Sequence, residues 1–594
     1  MKRFHSLFHS SFHLPLSILL IMPVLFSGAA RASESGLTGT VERACSDQEK
    51  WSYPAGWSAD VRGNFDAFLN DGRTLPEAFG QAFASTRAAA SVGQRLFAEY
   101  AMGRVLFQAG LQHAAFDQFA AIASQPVSRE TLLVQRAALQ CADRILTTTP
   151  SLELPHSAVA RLPEYLALEH DSARKPLLWD LTIQALQASL VRGDATAQSA
   201  VGWLRGAGAW ELIGQALVAS NRNDHAGVVT RLEPLLVRTA AKSSELPASQ
   251  AKSEDLFRLI LARAYFAQKQ LPQAMAQYQK VDHGANEFPR ALTELAWSYL
   301  AAQQYKDSIG VGIGIQSGAL RAAFVPEGPM VLAMSLNELC QFPQALRVTR
   351  SFQRDYASSR QWLKNWTSES AAIRPALYGL AVAALKDTKD AEKLTGVPAR
   401  VTSEWLRSPV FIANQAEISQ LFKEQKMALE VQSMSAHDSK IAEMARSTWE
   451  SVLSQAATRT EARKSALVQG INADLAGRSR KMLAQLDDVA TQNGLVEIEI
   501  LNGASHDLIF RNAHPEYAKA AKDLGEQEAD HRKDSQVWNW GRVRASDPRM
   551  EIWEDELGSM SADTYDNCKS KDKYLTLRLN AGAEKAGQKG TESE

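Results

Sequence analysis

The stretch that decides the fold reads LILARAYFAQKQLPQAMAQY over residues 259–278, and its pattern returns in TELAWSYLAAQQYKDSIGVG over residues 293–312. Corresponding positions lie 34 residues apart: Ala262 and Ala296, Tyr265 and Tyr299, Ala274 and Ser308. A period of this length is typical of a stacked unit of two helices joined by a turn. Small side chains at two of these positions let the paired helices approach closely, while bulky neighbours fill the groove. The stretch therefore predicts helical hairpins stacked along one axis.

The same small residues recur along the chain. In five places, Gly or Ala is followed twelve residues later by Ala or Ser: Gly103/Ala115, Gly214/Ala226, Ala262/Ala274, Ala296/Ser308 and Ala333/Ala345. The last copy is offset by 37 residues, as an insertion at 318–327 would produce. We therefore predict an all-α chain, an α-solenoid of helical hairpins that is most regular over 256–356. An irregular helical bundle is the alternative.

Two further hairpins are predicted upstream of that block. The first runs over 94–125, with Gly110 between its helices and Pro126 after the second. Its packing residues are Gly103, Leu106, Ala115, Phe119 and Ile122. The second runs over 210–236 and places Gly214, Leu217, Ala226 and Leu232 on the packing faces.

Long helices are predicted after the repeats, because no proline occurs between Pro409 and Pro515. Apolar residues there keep steps of mostly three and four: Ile441, Met444, Trp449, Val452, Ala456, Leu467, Ile471, Leu475, Met482, Leu486 and Val489. Gly470 and Gly477 predict a bend or a break. Residues 496–500 alternate like a strand but have no partner strand, so we assign them to helix. The helices are expected to fold back on the solenoid, and self-association stays open.

The N-terminus resembles a secretory signal. Lys2 and Arg3 precede an apolar run over 14–26, and Ala30-Arg31-Ala32 offers a cleavage site before Ser33. The run is shorter than the ~18 residues expected of a membrane span. We therefore predict a cleaved signal peptide and a periplasmic mature chain, with an uncleaved anchor as the alternative.

These patterns divide the chain into seven segments. They are a signal peptide (1–32), N-terminal helical repeats (33–237), a linker (238–254), core repeats (255–360), a helical extension with a long helix or helical hairpin (361–514), a Trp-rich helical segment (515–568) and a disordered tail (569–594).

Composition excludes some classes of function. The 65 basic and 66 acidic residues give a net charge of −1, so nucleic acid is a poor candidate partner. The four cysteines, Cys45, Cys141, Cys340 and Cys568, are too widely separated for a redox pair or a zinc knuckle. We expect one disulfide or none, with the pairing open, and Cys340 at a turn between helices of a repeat.

A family resemblance rests on residues 261–278, 291–299 and 324–356, and on Trp553-Glu-Asp-Glu-Leu-Gly558 followed by Cys568. Together they resemble tetratricopeptide-repeat envelope proteins of predatory and gliding deltaproteobacteria, in which a Pro-Glu turn, here Pro326-Glu327, leads into a helix. The resemblance implies a periplasmic all-helical scaffold without enzyme activity.

Motifs for chemistry are few. Glycines at 310, 312, 314 and 318 lack the strand–turn–helix setting of a nucleotide loop, and Glu554 to Glu556 are adjacent near the chain end. Neither HExxH nor GxxxxGK[ST] occurs, and the histidines have no metal-ligand spacing. We expect Trp538, Trp540 and Trp553 to anchor the C-terminal segment, with ligand binding as the alternative.

The resulting hypothesis is a non-enzymatic exported scaffold that binds a peptide or helix of an envelope protein in its concave groove. No catalytic, metal-binding or cofactor-binding residue is assigned, and any membrane association is expected only through a partner. The alternative is a peptidoglycan hydrolase, or a regulator of peptidoglycan metabolism.

Overall fold

The structure is a computed structural model that describes residues 91–149, 151–237, 246–316, 318–369, 375–388, 390–435 and 443–515, with residues 59, 82, 84, 85, 89 and 568. All regular secondary structure in the described residues is helical, and they contain no β-strand. Consecutive helices pack on their neighbours as an α-solenoid of helical hairpins, as predicted. The predicted signal peptide, the tryptophan cluster and the tail lie outside the described residues.

The chain divides into two compact units, the first formed by residues 1–254 and 408–474 and the second by 255–407 and 475–594. Helices of the first unit are α1 (Val92–Gln108), α2 (Gln112–Ala123), α3 (Leu132–Thr148), α4 (His156–Val159), α5 (Leu162–Leu168), α6 (Lys175–Arg192), α7 (Thr196–Trp203), α8 (Ala209–Asn221) and α9 (His225–Leu236).

The second unit contains the core repeats. Its helices are α10 (Glu254–Ala267), α11 (Leu271–Tyr278), α12 (Phe288–Ala301), α13 (Tyr305–Ile315), α14 (Glu327–Glu338), α15 (Phe342–Ser368), α16 (Leu377–Lys386), α17 (Ala391–Thr395) and α18 (Ala399–Leu406). Helix α19 (Pro409–Ser435) follows in the first unit, and the 71-residue α20 (Glu443–Ala513) contributes residues to both units.

A left-handed residue ends the first helix of each hairpin. Gly110, Lys269, Gln303 and Cys340 all have positive φ, and each lies seven residues after the small residue of its repeat. The backbone N–H of the next residue donates to a carbonyl five residues back, as from Gln270 to Tyr265 and from Gln304 to Tyr299, both at 2.9 Å. This shared turn confirms the repeat register, with Cys340 at a turn.

The small residues allow close approach between helices, as predicted. A Cβ added at Gly103 would lie 2.6 Å from Phe119, and one added at Gly214 would lie 2.6 Å from Leu204. Ala262, Ala274, Ala296, Ala333 and Ala345 are fully buried. Ser308 replaces alanine and donates to the Ala296 carbonyl at 2.9 Å, so its buried hydroxyl is paired.

The prediction for Ala226 is wrong, because Ala226 is exposed and the buried small residue is Gly227. The reason is local. The Asp224 carboxylate accepts a hydrogen bond from the Gly227 N–H at 2.8 Å and so caps the N-terminus of α9. This bond holds Gly227, in the first turn of α9, against the Asp224 side chain. The hairpin exists, but its left-handed turn residue, Asn223, lies nine residues after Gly214 instead of seven, so the register of the second helix differs by two residues.

Two other segments differ from what their composition suggests. Residues 248–253, inside the predicted linker, form a 3-10 helix in which Gln250 and Ser253 are buried. The glycine run belongs to α13, where a Cβ added at Gly312 would lie 3.0 Å from Leu332, so these glycines serve helix packing rather than a nucleotide loop. The predicted insertion contains a short 3-10 helix, Gly318–Ala322.

Helix α20 is continuous through Gly470 and Gly477, so the predicted break does not occur. The predicted stripe is buried at seven of its positions: Trp449, Leu467, Ile471, Leu475, Met482, Leu486 and Val489. Residues 496–500 are helical, as predicted. In the part of the chain that the structure describes, no helix is long and apolar enough to cross a membrane.

The cysteines are more extensively paired than expected. Cys340 and Cys568 form a disulfide with Cα atoms 5.4 Å apart. Cys141 is buried and also disulfide-bonded, so the chain has more than one disulfide. Cys45 lies outside the described residues.

Candidate functional site

The candidate site is the face formed by the first helices of the core repeats, α10, α12 and α14, here called the first-helix face. Three charged residues and one tryptophan of this face occupy two recurring positions of the repeat. Arg263 and Trp297 each follow the small residue of their repeat, and Arg290 and Glu327 each precede it by six positions. Because the helices stack in parallel, equivalent positions come side by side on neighbouring helices.

An ion pair links the first two helices of this face. Arg263 donates to Glu294 through Nε at 2.9 Å and through a terminal nitrogen at 2.6 Å, and both side chains are largely buried. Burial opposes the guanidinium charge, but Glu294 outweighs it and raises the pKa of Arg263. The two-pronged geometry fixes both side chains.

Arg290 is different, because its side chain is exposed and has no hydrogen bond or ion pair with any described residue. The pKa of Arg290 is nevertheless lowered, because the surrounding protein desolvates the guanidinium and Arg263 and Arg478 oppose its charge, while Glu404 and Glu294 favour it. An exposed guanidinium that makes no hydrogen bond within the described chain can still attract an anion from another molecule. Arg290 is thus positioned to donate hydrogen bonds to a carboxylate of another molecule.

Residues of α18 and α20 border this face within the second unit. Gln485 donates to Glu327 at 3.3 Å, and burial raises the pKa of the Glu327 carboxyl. Arg478 pairs with Glu404 at 3.6 Å. Of the charged groups around Arg290, Arg263 and Arg478 therefore already have carboxylate partners.

Sequence reasoning assigned no site residue, and it missed these. The signal was present in the 34-residue register, since Arg263 aligns with Trp297 and Leu256 with Arg290. Trp297 itself is only 7% exposed, so it supports the helix rather than offering a surface for a partner. No cluster of three or more candidate metal ligands occurs among the residues that the structure describes.

A buried ionic cluster lies in the first unit, around His113 at the start of α2. Its two ring nitrogens meet Glu424 at 2.8 Å and Glu417 at 3.1 Å, both on α19. Arg463 of α20 donates to both oxygens of Glu417, at 2.7 and 3.1 Å, and the Ser151 hydroxyl also donates to Glu417. Every member thus bonds a member on another segment.

The electrostatics of this cluster indicate a structural role. Burial opposes charge on His113, but hydrogen bonds to Glu417 and Glu424 raise its pKa to about 9. Glu417 is also buried, yet hydrogen bonds from His113, Arg463 and Ser151 lower its pKa to about 2. Both groups are therefore charged at neutral pH, and their hydrogen-bonding atoms are occupied by one another.

A second carboxylate pair in the first unit has unequal surroundings. Asp180 accepts at Oδ1 from Trp210 at 2.7 Å, from Ser249 at 2.8 Å and from Gln250 at 2.9 Å. Burial and the charge of Asp180 raise the pKa of Asp143 to about 6. The half-buried rings of Trp179 and Trp210 are 5.0 Å apart beside Asp180.

Comparison with known proteins adds no identification: no protein-family model matches the chain, and no curated protein is significantly similar to it.

Proposed function

We propose that this protein is a tetratricopeptide-type interaction scaffold of the bacterial cell envelope, and that it binds an acidic segment of a partner protein on the first-helix face. The single observation that carries the proposal is Arg290, an exposed cation without a partner among the described residues, on a face where neighbouring arginines are already paired. Arginine at such a place is a frequent centre of binding energy.

The architecture supports the same function. Stacked hairpins can bind a peptide or helix along the face of their first helices, and Arg290 is an exposed residue of that face. The fixed pair Arg263–Glu294 keeps that face rigid, which lowers the entropy lost on binding. The acidic segment is expected to place a carboxylate on Arg290.

Export to the periplasm is part of the proposal. Disulfides persist in oxidising compartments, and this chain holds Cys340–Cys568 and a bonded Cys141. The signal-like pattern over residues 1–32 agrees with that location.

The test compares two exposed arginines. Arg290→Ala removes the proposed contact, whereas Arg347→Ala removes an exposed arginine on the second helix of a hairpin that has no ion pair with a described residue. We expect Arg290→Ala to weaken binding of the envelope partner about tenfold or more by calorimetry. Arg347→Ala is expected to bind like the wild type. Equal affinity of all three proteins would refute the role of Arg290.

The second candidate function is a peptidoglycan hydrolase or a regulator of peptidoglycan metabolism, and the Asp143/Asp180 pair favours it. Two carboxylates in unlike surroundings can divide the roles of acid and base. Asp143, with a pKa of about 6, would be the acid, and Asp180 the base or nucleophile. Trp179 and Trp210 would stack on sugar rings.

Release of soluble muropeptides from purified peptidoglycan distinguishes a hydrolase from the scaffold. The scaffold proposal predicts no release by wild-type protein above the level of a boiled sample. The hydrolase candidate predicts release that Asp143→Asn abolishes while the folded structure, followed by circular dichroism, is retained.

A further inference from the structure

The last third of α20 carries an uncovered apolar stripe, formed by Leu495, Ile498, Leu501, Leu508 and Ile509. These five side chains are between 47% and 62% exposed. At 3.6 residues per turn they lie within an arc of about 140° that contains no charged residue. The opposite side of the same helix is buried at Val489, Val496 and Ile500, so the stripe is a second apolar face.

Such a stripe on an extracytoplasmic protein needs a cover, because contiguous exposed aliphatic surface promotes association. Three occupants are conceivable: another segment of this chain, a second copy of it, or a different protein. The position of the Cys340–Cys568 disulfide distinguishes among them.

This disulfide anchors residue 568 near the segment of α20 that carries the stripe, on the side of the helix that faces Glu338 and Phe342. Cys568 Sγ lies 3.4 Å from the carbonyl oxygen of Glu338, and Glu338 adds to the effect of burial in raising the pKa of Glu499 on α20. Phe342, two residues after Cys340, packs on Gly503, where an added Cβ would lie 2.6 Å from its ring. Residues 499–503 of α20 are thus the neighbours of the anchor.

The chain between α20 and this anchor is short and closed at both ends. It begins after residue 515, two residues beyond the end of α20, and ends at Cys568, so that 52 residues lie between the two points. A flexible chain of that length has an end-to-end distance of about 40 Å, whereas the stripe is about 21 Å long. The connected segment therefore stays within reach of the stripe, at an effective concentration near millimolar.

The large apolar residues of this connection are concentrated in its second half, as is expected of a segment that covers an apolar surface. Residues 537–560 include nine large apolar residues: Val537, Trp538, Trp540, Val543, Met550, Ile552, Trp553, Leu557 and Met560. Residues 516–536 have only Tyr517 and Leu524 and are otherwise mostly charged or small. The apolar part can bury its side chains on the stripe, while the polar part serves as the connection.

We propose that residues 537–560, which lie outside the described residues, cover the apolar stripe of α20, held there by the Cys340–Cys568 disulfide. A second copy would have to compete with a segment that is permanently attached. This inference does not depend on the first-helix face or on Arg290.

The experiment uses the full mature chain and trypsin, since Arg542, Arg544 and Arg549 lie within the proposed cover. The stripe variant carries Leu495→Asp and Ile498→Asp. The control, Ala484→Asp, adds one of the two negative charges at an exposed position of the same helix three turns earlier. Cleavage after the three arginines is followed by mass spectrometry, and molar mass by light scattering.

We expect the stripe variant to be cleaved at least about tenfold faster than the wild type, the control to be cleaved at the wild-type rate, and all three to be monomers. Trp553→Ala should accelerate cleavage in the same way. If circular dichroism shows helix loss in the double variant, Ile498→Ser replaces it, with the same expected direction. Unchanged cleavage overturns the proposal, and so does a wild-type dimer that the stripe variant converts to monomer.

Discussion

The two parts of helix α20 are stabilised by different kinds of interaction, buried ion pairs in the first part and apolar packing in the second. Its first part, up to residue 474, belongs to the first unit, where Arg463 joins the charged cluster of Glu417 and His113. Its second part belongs to the second unit and is held mainly by a row of buried apolar side chains, including Leu475, Met482 and Leu486. Asn493 in this part also donates to the Thr349 carbonyl at 3.1 Å.

This difference teaches how much each kind of contact depends on completeness. An apolar stripe loses stability in increments as single side chains are changed. A buried ionic cluster depends on every member, because removing one leaves an uncompensated charge in a poorly solvated place. The first unit is therefore expected to be the more sensitive to single polar substitutions and to pH.

The largest expected effect is on the cluster itself. Glu417→Ala removes the common partner of His113, Arg463 and Ser151 and should cost about 3–5 kcal/mol of unfolding free energy, measured by urea denaturation. The control is Arg459→Ala, which removes an exposed pair with Asp117 and should cost about 0–1 kcal/mol. Similar losses in the two variants would contradict the role of the cluster.

The dependence on pH is the next largest effect. His113 has a raised pKa of about 9, so its contribution is complete below its ordinary value of 6.5 and is lost as the pH rises through 9. Glu417 has a lowered pKa of about 2, so its contribution is complete above 4.5 and is lost as the pH falls through 2. Stability from this pair should therefore be greatest between pH 4.5 and 6.5.

Between pH 6.5 and 9, the unfolding free energy should decrease by roughly 1–3 kcal/mol, measured by urea denaturation at a series of pH values. The His113→Gln variant should lack this alkaline decline. Asp117, whose pKa is raised by burial, and Arg459 also face this cluster, so the control Arg459→Ala is titrated in parallel. A decline of equal size in His113→Gln would assign it to other groups.

The repeats should respond to volume rather than to charge. Ala296→Leu forces a larger side chain into a fully buried position between helices and should cost about 1–3 kcal/mol. Ala226→Leu changes an exposed position and should cost less than about 0.5 kcal/mol. The melting temperatures of the two variants also test the corrected register. A larger decrease in Ala226→Leu than in Ala296→Leu would mean that Ala226 is a buried packing residue after all.

The smallest effect distinguishes two glycines of α20. A Cβ at Gly477 meets no atom within 4 Å, so Gly477→Ala should stabilise the protein by about 0.5–1 kcal/mol through helix propensity. At Gly503 the added Cβ would lie 2.6 Å from Phe342, so Gly503→Ala should destabilise it. Thermal unfolding that shows the same sign for both changes would contradict this placement of Phe342.

Much of the helical architecture was predictable because it repeats. The small residues of the core repeats and the stripe of α20 follow fixed spacings, and a period can be recognised without knowing the partner. Register within one hairpin was not predictable where a cap intervened, as Asp224 does at Gly227. Likewise, Ser249 and Gln250 lie in a segment whose composition predicts a linker, and their hydrogen bonds to Asp180, about 70 positions earlier, could not be predicted from the sequence.

The ionic contacts could not have been predicted from one sequence. His113 and Glu417 are separated by 304 positions, and no spacing rule connects them. The same holds for Cys340 and Cys568, whose pairing is one of several that four cysteines allow. Arg290 could have been noted from its place in the repeat, but its lack of a partner depends on where Glu294 and Glu404 point.

The most direct test of the central claim places a photo-crosslinking residue at position 301 in living cells. Ala301 is exposed and lies three helical turns from Arg290 on the same side of α12, so Arg290 itself is retained. The scaffold account predicts an adduct with one envelope protein, which disappears in Arg290→Ala and persists in Arg347→Ala. An adduct that survives Arg290→Ala unchanged, or no adduct at all, would contradict it.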